Sequence, residues 1–339
     1  TFEVIFDMIR IAYDELFSVL KSKLEKYGTN QEIAEECSRL LLENSIDGIY
    51  SHGVHRFPRI ISYIQKGYIK PNNKPEKIGS FGAFERWDGN FGMGNTNAKM
   101  CMNRSIELAR KYGIGCIAIR NTNHWMRGGT YGLQAADNGC IGICWSNTQP
   151  NMPAWGAEDR RIGNNPLIMC VPYKKGHVMM DGAMSQFSYG AIESARLAGK
   201  KLPVPGGFDS EGNITCDPAE IEKTWRVLPI GFWKGSSISI LLDMIAATLS
   251  DGNTVTDVGK LSTDEYGLSQ VFIAIDIENT FTNSERVVET IVEDIKASKR
   301  IKEDEEIYYP NEMTYETRAY NLKHGIPVNE EIWKTVLSL

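Results

Sequence analysis

Apolar residues recur along the first seventy positions at spacings of three and four. Ile5, Ile9, Ala12, Leu16, Val19 and Leu24 follow a helical period that stops near Gly28. Thr29 and Glu32 have the spacing of a reciprocal cap for a second helix, along which Ile33, Cys37, Leu40 and Leu41 line up. A third helix is expected to open near Ser51 and close at Gly67, before Pro71 and Pro75 mark a linker. From about residue 78 the period changes. Short β-branched runs at 115–119, 141–145, 167–171, 178–181 and 271–275 read as strands, with helical stretches at 104–111, 134–138 and 236–249. Helix returns at 284–299. The pattern predicts an α/β (α+β) protein with a mixed sheet over 76–283. A discontinuous helical domain is expected from 1–75 plus 284–339, the two termini packing together. No internal repeat or low-complexity segment interrupts it.

Composition narrows the partners. The 339 residues carry 37 Lys and Arg against 43 Asp and Glu, a net charge of −6, which lacks the footprint of a general nucleic-acid binder or a polybasic membrane-surface protein. The longest apolar stretch, 238–249, is broken by Ser239, Asp243 and Thr248, so no membrane span is expected. The first residues include Glu3 and Asp7 and show no basic stretch of a secretory signal. Seven cysteines are an odd count, and Cys116, Cys140, Cys144 and Cys170 lie in strand-like runs. That is the usage of buried thiols in a reducing compartment, and it predicts a cytoplasmic address.

Several familiar chemistries are missing. Cys140 and Cys144 have no second Cys/His pair to complete a zinc site, no H-E-x-x-H occurs, and no metal is expected. There is no G-x-S-x-G elbow, no Walker A pattern, and no standard dinucleotide fingerprint. The glycines of GIGCIA (113–118) follow a helix and lead into a strand, the reverse of what that fingerprint needs. DGNFGMGN (88–95) precedes a helical stretch and reads as a flexible turn with a helix cap, with a phosphate cradle as the alternative.

Two patches could carry proton chemistry. In IYSHGVHRFPRI, His52 and Arg56 stand four residues apart, on one helical face. A histidine in a helix's first turn has its pKa lowered by the dipole, and an Arg one turn on can fork onto a carboxylate. The other reading is a capping His and a surface Arg. NTNHWMRGG (121–129) joins Asn123, His124, Trp125 and Arg127 to paired glycines after a strand end, the place where α/β sites sit. HVMMDGAMSQFS (177–188) reads as a strand running into small residues, and GFWKGSS (231–237) sets Lys234 between glycines at a helix start. The first suits close approach of a ligand or is plain core strand. The second suits a phosphate or a solvated Lys. RIGNNPL (161–167) reads as a polar turn.

YSHGVHRFPR, RNTNHWMRGGTYG, WGAEDRRIGNNPL, MDGAMSQFSYG, RLAGKKLP, PIGFWKGSS and DEYGLSQVFIAI together resemble the malate/L-lactate dehydrogenase family that lacks a Rossmann fold, from about Ile33 to the C-terminus. The resemblance implies an oxidoreductase with a non-Rossmann NAD-binding domain, using NADH (or NADPH) on a small-molecule keto acid and working as a homodimer. The keto acid expected first is 2,3-diketo-L-gulonate. Malate, lactate, sulfolactate or ureidoglycolate chemistry, or a non-catalytic ligand-binding relative, are the alternatives. It implies His52 as proton donor and an acid/base role for His124. Ser51, Arg56, Asn123 and Thr148 would bind substrate, with Asn123 or Thr148 polarising the carbonyl. Cofactor contacts fall on His177, Val178, Met179, Met180, Asp181, Gly182 and Ala183, on Trp233 and Lys234, and on Asn311 and Glu312. That last loop, YYPNEMT, has no glycine after Pro310, which departs from the family pattern.

Overall fold

The computed structural model describes residues 8–279, 281 and 283–339. A seven-stranded mixed sheet runs in the order Glu76–Phe81, Phe84–Asp88, Ile114–Thr122, Leu268–Asp276, Cys140–Ser146, Leu167–Val171, Val178–Gly182. Phe84–Asp88 and Ile114–Thr122 are parallel, and the other neighbours are antiparallel.

The sheet is covered on both faces, which explains why its central strands read as near-continuous apolar runs. Ile117, Ile119, Phe272 and Ala274 turn to the side of helices α4 (Gly94–Tyr112) and α5 (Gly129–Asp137). Ala118 and Val271 turn to the other, against Leu242 and Ala246 of the helix Trp233–Ser250. Alternate residues of one strand therefore serve two cores. The five strands expected from β-branched runs are present, Leu167–Val171 with the expected bounds and the other four a little longer than their apolar stretches.

The N-terminus begins differently from its helical period. Ile9 lies in a strand, Met8–Ile11, paired antiparallel with Ile326–Asn329, and the helix behind it, α1, spans Tyr13–Lys26. A partner more than 300 residues away leaves no trace in local periodicity. Ile5 lies outside the described residues. The cap of α2 (Gln31–Ile46) is Asn30, whose side chain accepts from Ile33 N–H at 3.0 Å, in place of Thr29. Leu16, Leu20, Leu41, Phe57, Val328 and Trp333 close this terminal core. The helix Ser284–Lys296 lies elsewhere: its Val292 packs on Tyr173 and Tyr309 beside the sheet's far edge.

Candidate active site

One glycine sets the first element of the site. The helix expected from Ser51 is two 3-10 turns, Tyr50–His52 and Val54–Arg56, ahead of α3 (Phe57–Gln65). Gly53 separates them, pressed so closely on α2 that a Cβ there would lie 2.0 Å from Ser45 Oγ. The same Oγ accepts from Val54 N–H at 3.0 Å. His52 therefore sits at the end of a short turn and gains nothing from a helix N-terminus. Burial first, then the Arg56 and Arg127 guanidiniums, push its pKa down to about 3. Its Nδ1 lies 2.9 Å from Ser51 Oγ.

The second element is the loop after Ile114–Thr122. Gly94, at the start of α4, lies under the carbonyls of Asn123 and His124, where a Cβ would come within 2.3 Å of either oxygen. At Gly94 the glycine-rich segment 88–95 is packed against protein backbone, which leaves that glycine no room for a phosphate. Met126 adopts φ 68°, a left-handed turn that brings its N–H back to His124 Nδ1 at 2.9 Å. With Nδ1 accepting, the neutral imidazole carries its proton on Nε2. The His52 and His124 rings face each other at 5.8 Å between centroids.

Arg56, Arg59, Tyr63, Asn123, His124 and Glu265 line a narrow, half-enclosed pocket, with Ile60, Ile69 and Met126 as its apolar wall. Glu265 Oε1 lies 4.0 Å from His124 Nε2, while Oε2 accepts from Gln149 N–H at 3.0 Å. His124 keeps 22% of its side chain accessible through the cleft. Burial, then Arg56, His52 and Arg59, hold its pKa well below the usual value. Burial lifts the Glu265 carboxyl above the usual range, against the pull of the Gln149 N–H and both arginines. A wider, open hollow lined by Glu158, Arg160, Ser210 and Arg226 contains no histidine.

Two expected carbonyl-polarising groups have no proton to give. Asn123 Nδ2 points at the carbonyls of Tyr68, Phe91 and Gly92, 2.9–3.2 Å away. The Thr148 hydroxyl is held between the Gln149 carbonyl and Asn165 Oδ1, both at 3.2 Å. Behind the histidines, buried Arg127 pairs with Asp47, which also binds Arg318 Nη1 at 2.7 Å. Arg127 Nε stands 3.9 Å from Asp181 Oδ2, and the Asp181 carboxylate accepts from Gly129 N–H at the start of α5.

The three candidate cofactor segments are strung along one edge strand. Pro310 O accepts from Met179 N–H at 3.1 Å, and Asn311 Nδ2 donates to His177 O at 3.2 Å. At the strand's other end, Ile230 N–H donates to Met184 O, just before Trp233 and Lys234 open their helix. The track between them spans roughly 20 Å at a strand's rise per residue. Along it Met180 is exposed while Asp181 turns its carboxylate back to the Gly129 N–H, Gly182 and Ala183 are small, and Trp233 is 59% exposed beside Lys234. An aromatic face, a cation at a helix start and an uncluttered strand edge fit a nucleotide cofactor. Other members are engaged in the fold. His177 is 3.0 Å from Asp137, Val178 packs on the Tyr173 cluster and Met179 is buried in the sheet core. Glu312 binds Lys296 and Tyr309 N–H.

Sequence reasoning missed Arg59, Tyr63 and Glu265. Arg56, Arg59, Ile60 and Tyr63 have the 3–4–7 spacing of one helical face, which could have found two of them. Glu265 lies in the segment DEYG and is brought in by tertiary packing alone.

Comparison with known proteins follows the same lines. A family model described as malate/L-lactate dehydrogenase matches residues 11–337. The chain is 44% identical to 2,3-diketo-L-gulonate reductase of Escherichia coli over 98% of its length and 100% of that protein's. Among solved structures it superposes on malate dehydrogenase of Entamoeba histolytica with a TM-score of 0.91 and 26% identity, covering 98% of this chain and 97% of that one. For sulfolactate dehydrogenase of Methanocaldococcus jannaschii the TM-score is 0.86 at 25% identity, covering 97% and 95%.

Proposed function

The chain belongs to the malate/L-lactate dehydrogenase family of oxidoreductases, and from that premise we propose that it is a nicotinamide-dependent reductase of a keto acid, 2,3-diketo-L-gulonate first among them. The observation that carries this reading is the pocket itself, which sets two guanidiniums beside the His124 imidazole, with the His52 ring facing that imidazole at 5.8 Å.

Arg56 and Arg59 hold the substrate carboxylate, and a forked guanidinium fixes its plane as well as its position. Burial first, and the guanidiniums second, keep His52 deprotonated; the bound carboxylate offsets the second of these, so binding raises the pKa of His52 and loads the donor. His52 then gives its proton to the keto oxygen as that oxygen gains charge. The Nε2–H of His124 is free to bond the same oxygen from the other side, in the polarising role first expected of Asn123 or Thr148. The outer edge of Val178–Gly182, Trp233, Lys234 and Asn311 hold the cofactor. Bound there, NADH or NADPH supplies hydride to the carbonyl carbon. Burial in the cleft keeps bulk water from competing for the proton.

A homodimer fits the surface. The helix Trp233–Ser250 exposes Ile238, Leu241, Met244 and Ile245 on one face, each 41–58% accessible, a contiguous apolar stripe of the kind that a second subunit covers. Free, buried thiols support a reducing, cytoplasmic setting. The test is an absorbance assay of NADH and NADPH oxidation against a panel of keto acids, diketogulonate included. Turnover confined to oxaloacetate or sulfopyruvate would move the assignment to the malate or sulfolactate type. No turnover with any acid would remove it.

A further inference from the structure

The pocket contains more than an oxidoreductase needs to hold a carboxylate and reduce a carbonyl. Two of its oxygens have no donor. Asn123 is 1% exposed and its Oδ1 is buried without a hydrogen-bond partner. The amide cannot be turned around to hide this, because three carbonyl oxygens surround its nitrogen and would repel an oxygen placed there. Glu265 is in the same position by half. Its Oε2 is bonded to Gln149 N–H, while Oε1 has no hydrogen bond among the described residues and faces His124 Nε2 across 4.0 Å. A buried acceptor without a donor costs about 1–3 kcal/mol; Asn123 Oδ1 is such an atom, and Glu265 Oε1 is a partly accessible acceptor in the lining of the same pocket, a pair that calls for a ligand that brings donors.

Charge limits that ligand further. Arg56 and Arg59 against Glu265 leave one net positive charge in the pocket. One carboxylate neutralises it. A second carboxylate would sit against Glu265 and the Asn123 carbonyl, acceptor facing acceptor.

Resting on the reductase reading above, we propose that Asn123 Oδ1 and Glu265 Oε1 form a hydroxyl-recognition subsite, which selects monoanionic, hydroxylated keto acids over plain and dicarboxylic ones. The hydroxyls donate and the two oxygens accept, and no proton changes owner in the recognition. Glu265 is here a specificity residue, and the hydride and proton steps stay with the groups described above.

The test compares kcat/KM for 2,3-diketo-L-gulonate, pyruvate and oxaloacetate in the wild type and in Glu265→Gln. The variant is isosteric, and its amide oxygen can still accept from Gln149, so the fold is retained; a circular dichroism melt checks that. The diketogulonate-to-pyruvate ratio is expected to fall by about 10–100-fold, the value of a hydrogen bond to a charged group, and the oxaloacetate-to-pyruvate ratio to rise. Asn123→Asp, which puts a second negative charge beside Glu265, should depress oxaloacetate further against pyruvate. If Glu265→Gln slows all three acids by the same factor, the subsite is overturned while the reductase reading stands. If the wild type turns over none of them with either cofactor, both fall.

Discussion

The imidazoles of His52 and His124 face each other with centroids 5.8 Å apart and planes 29° from parallel, and each is tied at Nδ1. His52 Nδ1 meets the Ser51 hydroxyl and His124 Nδ1 accepts the Met126 N–H. The free nitrogen of each ring is therefore Nε2. Two imidazoles so close, with Arg56 beside both, cannot both carry charge. One proton at a time is available to the keto oxygen.

That asymmetry decides which ring donates. His124 is held as a fixed Nε2–H donor by the Met126 N–H at its Nδ1, so His52 is assigned the proton. His52→Asn should lower kcat by about 10²–10⁴-fold and leave NADH binding intact. His124→Asn should act more on KM. Steady-state kinetics of both variants across pH check this. Near-normal kcat in His52→Asn with loss of activity and pH dependence in His124→Asn would reverse the roles.

The pKa of His52, pushed down to about 3 in the free protein, fixes the sign of the pH dependence. Above that value the protonated fraction falls tenfold for each pH unit. Since kcat/KM reports the free enzyme, keto-acid reduction should lose about tenfold per unit between roughly pH 5 and 8. Oxidation of the hydroxy acid uses the neutral ring and should show no such fall. A reductive profile level up to about pH 6.5 and falling only above it would mean that a histidine of ordinary pKa gives the proton.

Much of this site was legible in the sequence, and the reasons are local. His52, Arg56 and His124 sit in dense polar patches at element ends, and five strands announced themselves as β-branched runs. Other features depend on distant packing. Gly53 breaks the expected helix because Ser45 of α2 occupies the space of its Cβ. Asn123 seemed able to polarise a carbonyl until the backbone of 68, 91 and 92 took its amide protons. Glu265 reaches the pocket from a segment about 140 residues beyond His124, and no spacing rule reports that.

Lys234 stands at the start of Trp233–Ser250, exposed, with no ion-pair partner among the described residues. If it contacts a cofactor phosphate, Lys234→Ala removes a charge-assisted bond of about 1.5–3 kcal/mol, at the lower end for so open a site. NADH affinity, read by fluorescence titration, should weaken by about tenfold, with a shallower salt dependence than the wild type. Unchanged affinity would take Lys234 out of the cofactor site.

Arg127 is 4% and Asp47 7% exposed, and their ion pair joins the loop of His124 to the end of α2. Removing one partner strands the other's charge in the interior, so Asp47→Asn and Arg127→Met should each destabilise the fold by about 3–5 kcal/mol in denaturant melts. The two differ at the active site. Arg127 is one of the charges that hold the His52 pKa down, so Arg127→Met should raise that pKa and extend keto-acid reduction to higher pH. Asp47→Asn leaves the guanidinium in place and should lack that upward shift. In the double variant Arg318 retains Glu43 and the Asp181 carboxylate retains the Gly129 N–H, so it should be more stable than either single change. A double variant as unstable as the sum of its parts would show that the two residues act independently, and that the pair is not what fastens the His124 loop to α2.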